Sequence, residues 1–468
     1  MIEDRLVAIC GAPNVEVRDA VSDDWCHDEA LGIEPVRPLA VARPATTDEV
    51  AAVVRVAAEL GVPVTARGSG TGLSGASVPV DGGIVVSFDR MAAILEIDVA
   101  NQVAVVEPGV TLADLDAALA PYGFVYPVFP GEQSASLGGN VATNAGGMRA
   151  VKYGVTRHHV LGLEAVLGTG EVITTGGRFV KATSGYDLTQ LIIGSEGTLA
   201  LVTRAILRLH PRPEHQTTVL APFATVEQVA GAVPPVVASG IGPLLVEYID
   251  MISMAGITAN AGIDLGVPED VRAAASAYLV IVLESHHVDR LEEDTEALAT
   301  QLAALGALEV YVLPDQAGHQ LIAAREHAFW ASKAAGADDI VDVVVPRASI
   351  PVYLADVGDL AAATGSLVVG CGHAGDGNVH LSVFQPDPDV RHRLVHDMLA
   401  AGVALGGAVS GEHGIGTAKL ATFSDLEDPV KLDLMRRIKS AFDPAGILNP
   451  GTIFRPTPSH APSEGARP

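Results

Sequence analysis

Between Thr46 and Leu60 the apolar residues fall at Val50, Val53, Val54, Ala57 and Leu60, the spacing of one helix face. Thr46 and Glu49 stand where a capping box opens a helix, and Gly61 with Pro63 closes it. Beyond that point the period shortens to two. VPVTA before Arg67 reads as a strand, as does Ile84-Val85-Val86, and ILEIDVANQVAVVEPG reads as two strands around Asn101. TLADLDAALAPYGF predicts a short helix capped by Thr111 and ended by Pro121 and Gly123. LGLEAVLGTGEVITTG predicts a hairpin turning near Gly168 to Gly170, and GSEGTLALVTRAILRL a turn into a strand. Farther on, LLVEYIDMI around Glu247 and AYLVIVLES around Val280 are strands by β-branched content and alternation. Short helices mixed with hairpins point to an α+β architecture and not to a regular βαβ repeat.

Between these elements lie long glycine-rich stretches. In RGSGTGLSG, Gly70, Gly72 and Gly75 spell GxGxxG, but a dinucleotide fingerprint must open a helix, and these glycines run into Pro79 and the Asp81-Gly82-Gly83 turn. What remains is a loop whose bare backbone N–H groups suit a pyrophosphate without a helix. From Gly131 to Gly147 a second run of small residues lets backbone approach a ligand closely.

CGHAGDGNVH, from Cys371 to His380, carries chemistry in a hairpin pattern. With Asp376 and Gly377 as a two-residue turn, His373 faces His380 across the strands, and two imidazoles reach one ion. Glu412, in SGEHGIG, supplies a third ligand and leaves His413 free to act as a base. The alternative is an ordinary hairpin with opposed histidines. Cys371 is either a further ligand or a small buried thiol. The pairs His158-His159 and His286-His287 lack a carboxylate or glycine context and read as surface or core residues.

Composition then narrows the class. The 468 residues are enough for two or three domains, and 56 acidic against 29 basic residues give a net charge of -27. Such an anionic chain disfavours nucleic acid or an anionic membrane as main partner. No apolar run is long enough for a transmembrane segment, and MIEDRL lacks the basic start of a signal peptide. Three cysteines are too few for a disulfide framework, so a cytoplasmic location is expected. The tail from Arg455 to Pro468 has the composition of disorder.

Taken in series, RGSGTGLSG, PGEQSASLGGNVATNAGG, GSEGTLALVT, CGHAGDGNVH, SGEHGIG and FDPAGILNPGTIF resemble the FAD-linked oxidase family of vanillyl-alcohol-oxidase type, also called PCMH type. Within it the resemblance is to the D-2-hydroxy acid dehydrogenase branch, which includes D-lactate dehydrogenase, D-2-hydroxyglutarate dehydrogenase and the glycolate oxidase catalytic subunit. The resemblance spans roughly Val36 to Phe454. It implies an N-terminal segment 1–35, a two-part FAD-binding domain 36–212, a covering substrate and metal domain 213–419 with an antiparallel sheet flanked by helices, a C-terminal return 420–454, and the tail. Carried over by motif, Arg67, Gly68, Ser69, Gly70, Thr71, Gly72, Ser74 and Gly75 would hold the pyrophosphate. Gly131, Ser134, Gly138, Gly139, Thr143 and Asn144 would hold the ring and ribityl side, Glu196, Gly197 and Thr198 the adenosine side, and Asn449 the ring. Many relatives tether the flavin through a histidine where this chain has Thr71, so noncovalent FAD is expected.

The implied reaction is oxidation of a D-2-hydroxy acid to the 2-oxo acid, with hydride transfer to flavin N5. His373, His380 and Glu412 would hold a divalent ion, zinc by ligand type with manganese or iron also compatible. His413 would be the general base, and Arg325, in LIAAREHAF, would grip the carboxylate. Phe329 and Trp330 favour a short or apolar side chain, hence D-lactate or a similar acid, with glycolate and D-2-hydroxyglutarate as alternatives. A metal-dependent hydrolase without flavin is the reading from a different class. Scattered cysteines cannot ligate an iron–sulfur cluster, so electrons would leave to a quinone, a cytochrome, an electron-transfer flavoprotein or an iron–sulfur subunit. Such an acceptor could draw the protein to the membrane periphery, and a homodimer is compatible with this reading.

Overall fold

The computed structural model describes residues 2–455, so the tail expected to be disordered lies, Arg455 apart, outside the described residues. The first sheet has the order β1-β2-β4-β3, built from β1 (Val15–Val17), β2 (Ala40–Ala42), β3 (Val64–Arg67) and β4 (Ile84–Ser87). The helix Thr47–Leu60 crosses from β2 to the parallel β3. Thr46 caps it by accepting from the Glu49 amide, and Gly61 ends it at φ 64°. Its apolar face, Val50, Val53, Val54 and Ala57, is buried against Val64, Ile84 and Val86, which the helix Ile2–Cys10 helps to cover.

A five-stranded antiparallel sheet follows in the order β5-β6-β10-β8-β9: β5 (Ile94–Asp98), β6 (Val103–Val106), β8 (Val160–Leu167), β9 (Val172–Gly176) and β10 (Ala200–Arg208). The helix Leu112–Leu119, capped by Thr111, packs Leu115 and Leu119 into its core. A two-stranded piece pairs β7 (Phe124–Val125) with β11 (His210–Pro211). The chain returns to this half at its C-terminal end, where Val64 bridges Leu448 and the Asn449 amide donates to the Val64 carbonyl at 2.8 Å.

The third sheet holds seven strands in the order β15-β12-β14-β13-β17-β18-β16. They are β12 (His215–Phe223), β13 (Leu245–Asp250), β14 (Ala277–Ser285), β15 (Tyr311–Leu313), β16 (Asp339–Val344), β17 (Leu367–Gly372) and β18 (Asn378–Phe384). Every neighbouring pair is antiparallel. One face packs Val246, Tyr248, Val341, Val343, Val379, Leu381 and Val383 against the helices Val226–Val237, Val288–Ala304, Ile350–Thr364 and Pro388–Ala404. Alternation sends Glu247, Asp342, His380 and Ser382 to the opposite face, toward the helices Met251–Ala261 and Asp315–Glu326. That face carries the chemistry.

Candidate active site

The hairpin that brings in the histidines closes differently from the two-residue turn expected. Cys371, not His373, stands opposite His380 in the ladder. Asp376 N and Asn378 N both donate to the His373 carbonyl, at 2.9 and 3.3 Å, and only Gly377 has positive φ, at 86°. The connection is a type I turn extended by one left-handed glycine, spanning Ala374 to Gly377. The pairing is shifted by two residues, and an even shift keeps the side chains on the same face. The rings of His373 and His380 therefore still meet, with centroids 4.9 Å apart.

Glu412 reaches both. Its Oε1 lies 3.2 Å from His373 Nε2 and 3.1 Å from His380 Nε2, and one ligand atom from each of the three residues lies within 4.8 Å of the others. The second nitrogen of His373 is held by Glu247 Oε1 at 2.7 Å, the carboxylate behind a histidine that fixes a metal-ligating tautomer. Burial works against charge on His373, but Glu247 and Glu412 on either side outweigh it and raise its pKa to about 10. The point between the ligands favours positive charge, whether a proton or a cation supplies it. His413 stacks on His380 at 5.0 Å, and burial, aided by His380 and Lys419, brings its pKa down to about 4, so it is neutral at pH 7. Asp342, His380 and His413 form a second cluster with converging ligand atoms.

The segment Ser410 to Thr417 is positioned from two sides. Asp342, fully buried on β16, accepts from the backbone amides of Gly411, Glu412 and His413 at 3.1, 3.2 and 2.9 Å. It also accepts from Ser410 Oγ at 2.7 Å, Lys419 Nζ at 3.1 Å and Asn378 Nδ2 at 2.8 Å. From the first half of the molecule, Glu196 accepts from the amides of Ile415 and Gly416 at 2.8 and 2.7 Å. Ser74 Oγ donates to the carbonyls of His413 and Gly414, each at 3.1 Å. The side chains of Ser74 and Glu196 are thus engaged with the histidine loop.

A cavity of about 220 Å³ runs along the glycine loops. Gly68, Ser69, Gly70, Thr71, Gly72, Gly131, Gly139, Thr143, Glu196, Gly197 and Asn449 all line it, as do Glu412 and His413 at its end. Among the described residues the amides of Gly70, Thr71 and Gly72 donate to no protein acceptor, and the buried Asn140 Nδ2 has no partner. Such a row of free donors on glycine backbone fits a pyrophosphate. Arg67 and Gly138 line a smaller adjoining cavity of about 60 Å³. Ser134, Gly75, Asn144 and Thr198 do not line the larger cavity: Asn144 accepts from the Arg157 amide at 3.0 Å and Thr198 bonds the Ser195 carbonyl at 2.7 Å. Ser136 and Asn140, which do line it, had no distinguishing pattern within their stretch of small residues.

A second cavity, of about 260 Å³, meets the first at Glu412 and His413 and contains His373, His380, Cys371 and Arg325. Arg325 is buried, with Nη2 2.8 Å from Glu247 Oε2 but outside hydrogen-bonding geometry, so its Nε and Nη2 have no hydrogen-bond acceptor among the described residues. Arg325 lines this cavity, and a guanidinium there suits an incoming carboxylate. Burial lifts the Cys371 thiol to about 11, and it belongs to neither group of converging ligands. Lys333 is occupied by Glu29 at 2.8 Å and by the rings of Phe329 and Trp330. His159 is buried beside His210, and His286 and His287 are exposed, all away from these cavities. Glu247 and Asp342 were missed as site residues. The available signal was a carboxylate in the interior of each strand with an apolar residue on either side, Val246 and Tyr248 around Glu247 and Val341 and Val343 around Asp342.

These features define a flavoprotein oxidoreductase. Residues 38–176 match the FAD binding domain and residues 212–453 the FAD linked oxidases C-terminal domain. An FAD-linked oxidoreductase of Mycobacterium tuberculosis is 57% identical over 97% of this chain and 99% of its own length. D-lactate dehydrogenase of Archaeoglobus fulgidus is 38% identical, covering 93% of this chain and 96% of that protein. Glycolate oxidase subunit GlcD of Bacillus subtilis is 34% identical, covering 97% and 96%. The fold is also that of 4-ethylphenol oxidase from Gulosibacter chungangensis, with a TM-score of 0.78 at 18% identity over 97% of this chain and 96% of that one. The chain belongs to the FAD-linked oxidase family. Within it, the chain falls in the branch that contains D-lactate dehydrogenase and the glycolate oxidase subunit GlcD, which sets the flavin-free hydrolase reading aside. Among the described residues no helix is long and apolar enough to cross a membrane.

Proposed function

We propose that this protein oxidises a D-2-hydroxy acid, D-lactate or a relative with a short or apolar side chain, to the 2-oxo acid, using noncovalent FAD and a divalent ion. The observation that carries the proposal is the meeting of two cavities at Glu412 and His413, with the glycine loops on one side and the His373, His380, Glu412 cluster beside Arg325 on the other. When bound, FAD accepts the hydride and the ion lowers the pKa of a coordinated hydroxyl. His373 Nε2, His380 Nε2 and a Glu412 oxygen would hold that ion, a His2Glu set that suits zinc, with manganese or iron also compatible. Arg325, held in place by Glu247, binds and orients the substrate carboxylate through its guanidinium. His413, neutral and with Nδ1 3.9 Å from Asp342, takes the hydroxyl proton at Nε2. Phe329 and Leu73, on the wall shared by both cavities, exclude water from the reacting atoms. The three cysteines are separate, buried and free, so the electrons pass to an external acceptor such as a quinone, a cytochrome, an electron-transfer flavoprotein or an iron–sulfur subunit. A cytoplasmic location completes this reading.

Anaerobic titration of the purified holoprotein with D-lactate and L-lactate, with metal analysis of the same sample, tests the proposal. Bleaching of the flavin band by the D enantiomer alone, lost on chelation and restored by the ion, is the expected result. A flavin reduced equally well after complete metal removal would overturn the metal assignment.

A further inference from the structure

The second cavity is larger than a lactate fills, and its chemistry changes along its length. At one end lie Arg325, His373, His380, Glu412 and His413. Away from them the walls come from the helices Met251–Ala261 and Ala328–Ala334 and from the sheet, with Ile252, Ile257, Ile340, Val369 and Phe384 among the lining residues. The polar groups in that part, Ser253, Asn260, Ser332 and Ser382, are uncharged. Apart from histidine, Arg325 is the only cationic side chain among the described residues that lines the cavity. With that guanidinium on the C1 carboxylate, no cation is left for a second carboxylate at the far end of a substrate. A water needs roughly 10–15 Å³ of such space, so 260 Å³ exceeds what lactate and the ion occupy, even with the part beside Leu73 and Gly131 facing the cofactor.

We infer that this pocket selects 2-hydroxy acids with an extended, uncharged apolar side chain, a medium-length alkyl or aromatic group, over lactate and over 2-hydroxy diacids. The inference rests on the proposed function for the placement of the carboxylate and hydroxyl, and adds what occupies the rest of the cavity. One methylene in an apolar pocket is worth roughly tenfold in specificity, so a side chain that follows the cavity gains more than a methyl group can. Gly256 marks the wall: it lies inside a helix, lines the cavity, and a Cβ built there would meet nothing within 4 Å. The first carbon of a larger residue at that position is therefore accommodated at the cavity wall, and helix propensity favours the replacement.

Two measurements on the holoprotein test this. In the first, kcat/KM is determined for D-lactate, D-2-hydroxyhexanoate, D-phenyllactate and D-2-hydroxyglutarate. The expected result is a value at least tenfold higher for the hexanoate or the aromatic acid than for D-lactate, with the diacid poorest. In Gly256→Leu the ratio of hexanoate to lactate specificity falls tenfold or more, and Ala331→Leu, on the second helix lining the cavity, shifts it in the same direction. In the second, calorimetry with hexanoate and propanoate, which carry no hydroxyl to oxidise, reads binding alone. Hexanoate binding at least tenfold tighter than propanoate, weakened by Gly256→Leu, supports the pocket. D-lactate or the diacid as best substrate, equal binding of the two carboxylates, or ratios unmoved in both variants overturns the inference. A flavin that none of the 2-hydroxy acids reduces overturns the proposed function, while the calorimetry still reads the pocket by itself.

Discussion

His373 and His413 occupy one pocket with pKa values shifted in opposite directions, and their neighbours decide which. His373 lies between two carboxylates, whereas His413 is desolvated beside His380 and Lys419. Their roles separate in mutants. His380→Ala should lose stoichiometric metal and flavin reduction together, measured by metal analysis and stopped-flow absorbance. His413→Asn should keep FAD and metal while flavin reduction slows by about 10²–10⁴, the usual contribution of a positioned base. Away from the site, burial takes His159 down to about 4. A histidine depressed in the folded state binds protons preferentially when unfolded, so its contribution is complete above about pH 6.5 and lost as pH falls toward 4. Its loss should cost up to about 3 kcal/mol. Urea midpoints of wild type and His159→Phe across that window should therefore converge as the pH falls. Residue types and glycine context made His373, His380, Glu412 and His413 legible. Glu247 and Asp342 were hidden, because a carboxylate alternating with valines looks the same whether it faces a site or pairs with a surface lysine.

At the scale of elements, the caps behaved as local chemistry dictates, with Thr46 and Thr111 opening helices at the expected positions. The histidine hairpin did not, because a turn inside a sheet also answers to its surroundings. Gly375 N donates to Val246 O on the adjacent β13 and Val345 N to Gly377 O, contacts that a two-residue turn could not make. The SGEHG segment likewise owes its shape to a distant residue. Removing Asp342 leaves Lys419 and three amides buried without their acceptor. Asp342→Ala should cost about 3–5 kcal/mol, or disorder the segment so that metal and activity are lost while FAD remains. Denaturant midpoints and flavin content distinguish these outcomes from an unaffected protein, which would show that the anchor is dispensable.

For the whole molecule, the prediction concerns how the cofactor is held. Thr71, in the glycine loop that lines the first cavity, has no imidazole nucleophile to tether a flavin, so acid precipitation should leave all the flavin in the supernatant, and FAD added to the apoprotein should restore its spectrum. Flavin remaining with the pellet would point to a different covalent anchor. By itself the sequence determined the helices with their caps, most of the strands, the glycine loops, and the histidine and glutamate types of the converging cluster, all of which depend on neighbours within a few residues. Tertiary structure alone decided that Glu247, Arg325, Asp342, the histidine hairpin and the SGEHG segment share one face of a sheet ordered β15-β12-β14-β13-β17-β18-β16. It also decided how far the second cavity extends between two helices. Strand order and cavity shape arise from hydrogen bonds and packing between segments a hundred or more residues apart, such as Glu196 with Gly416. No local window of the chain contains both partners of such a contact.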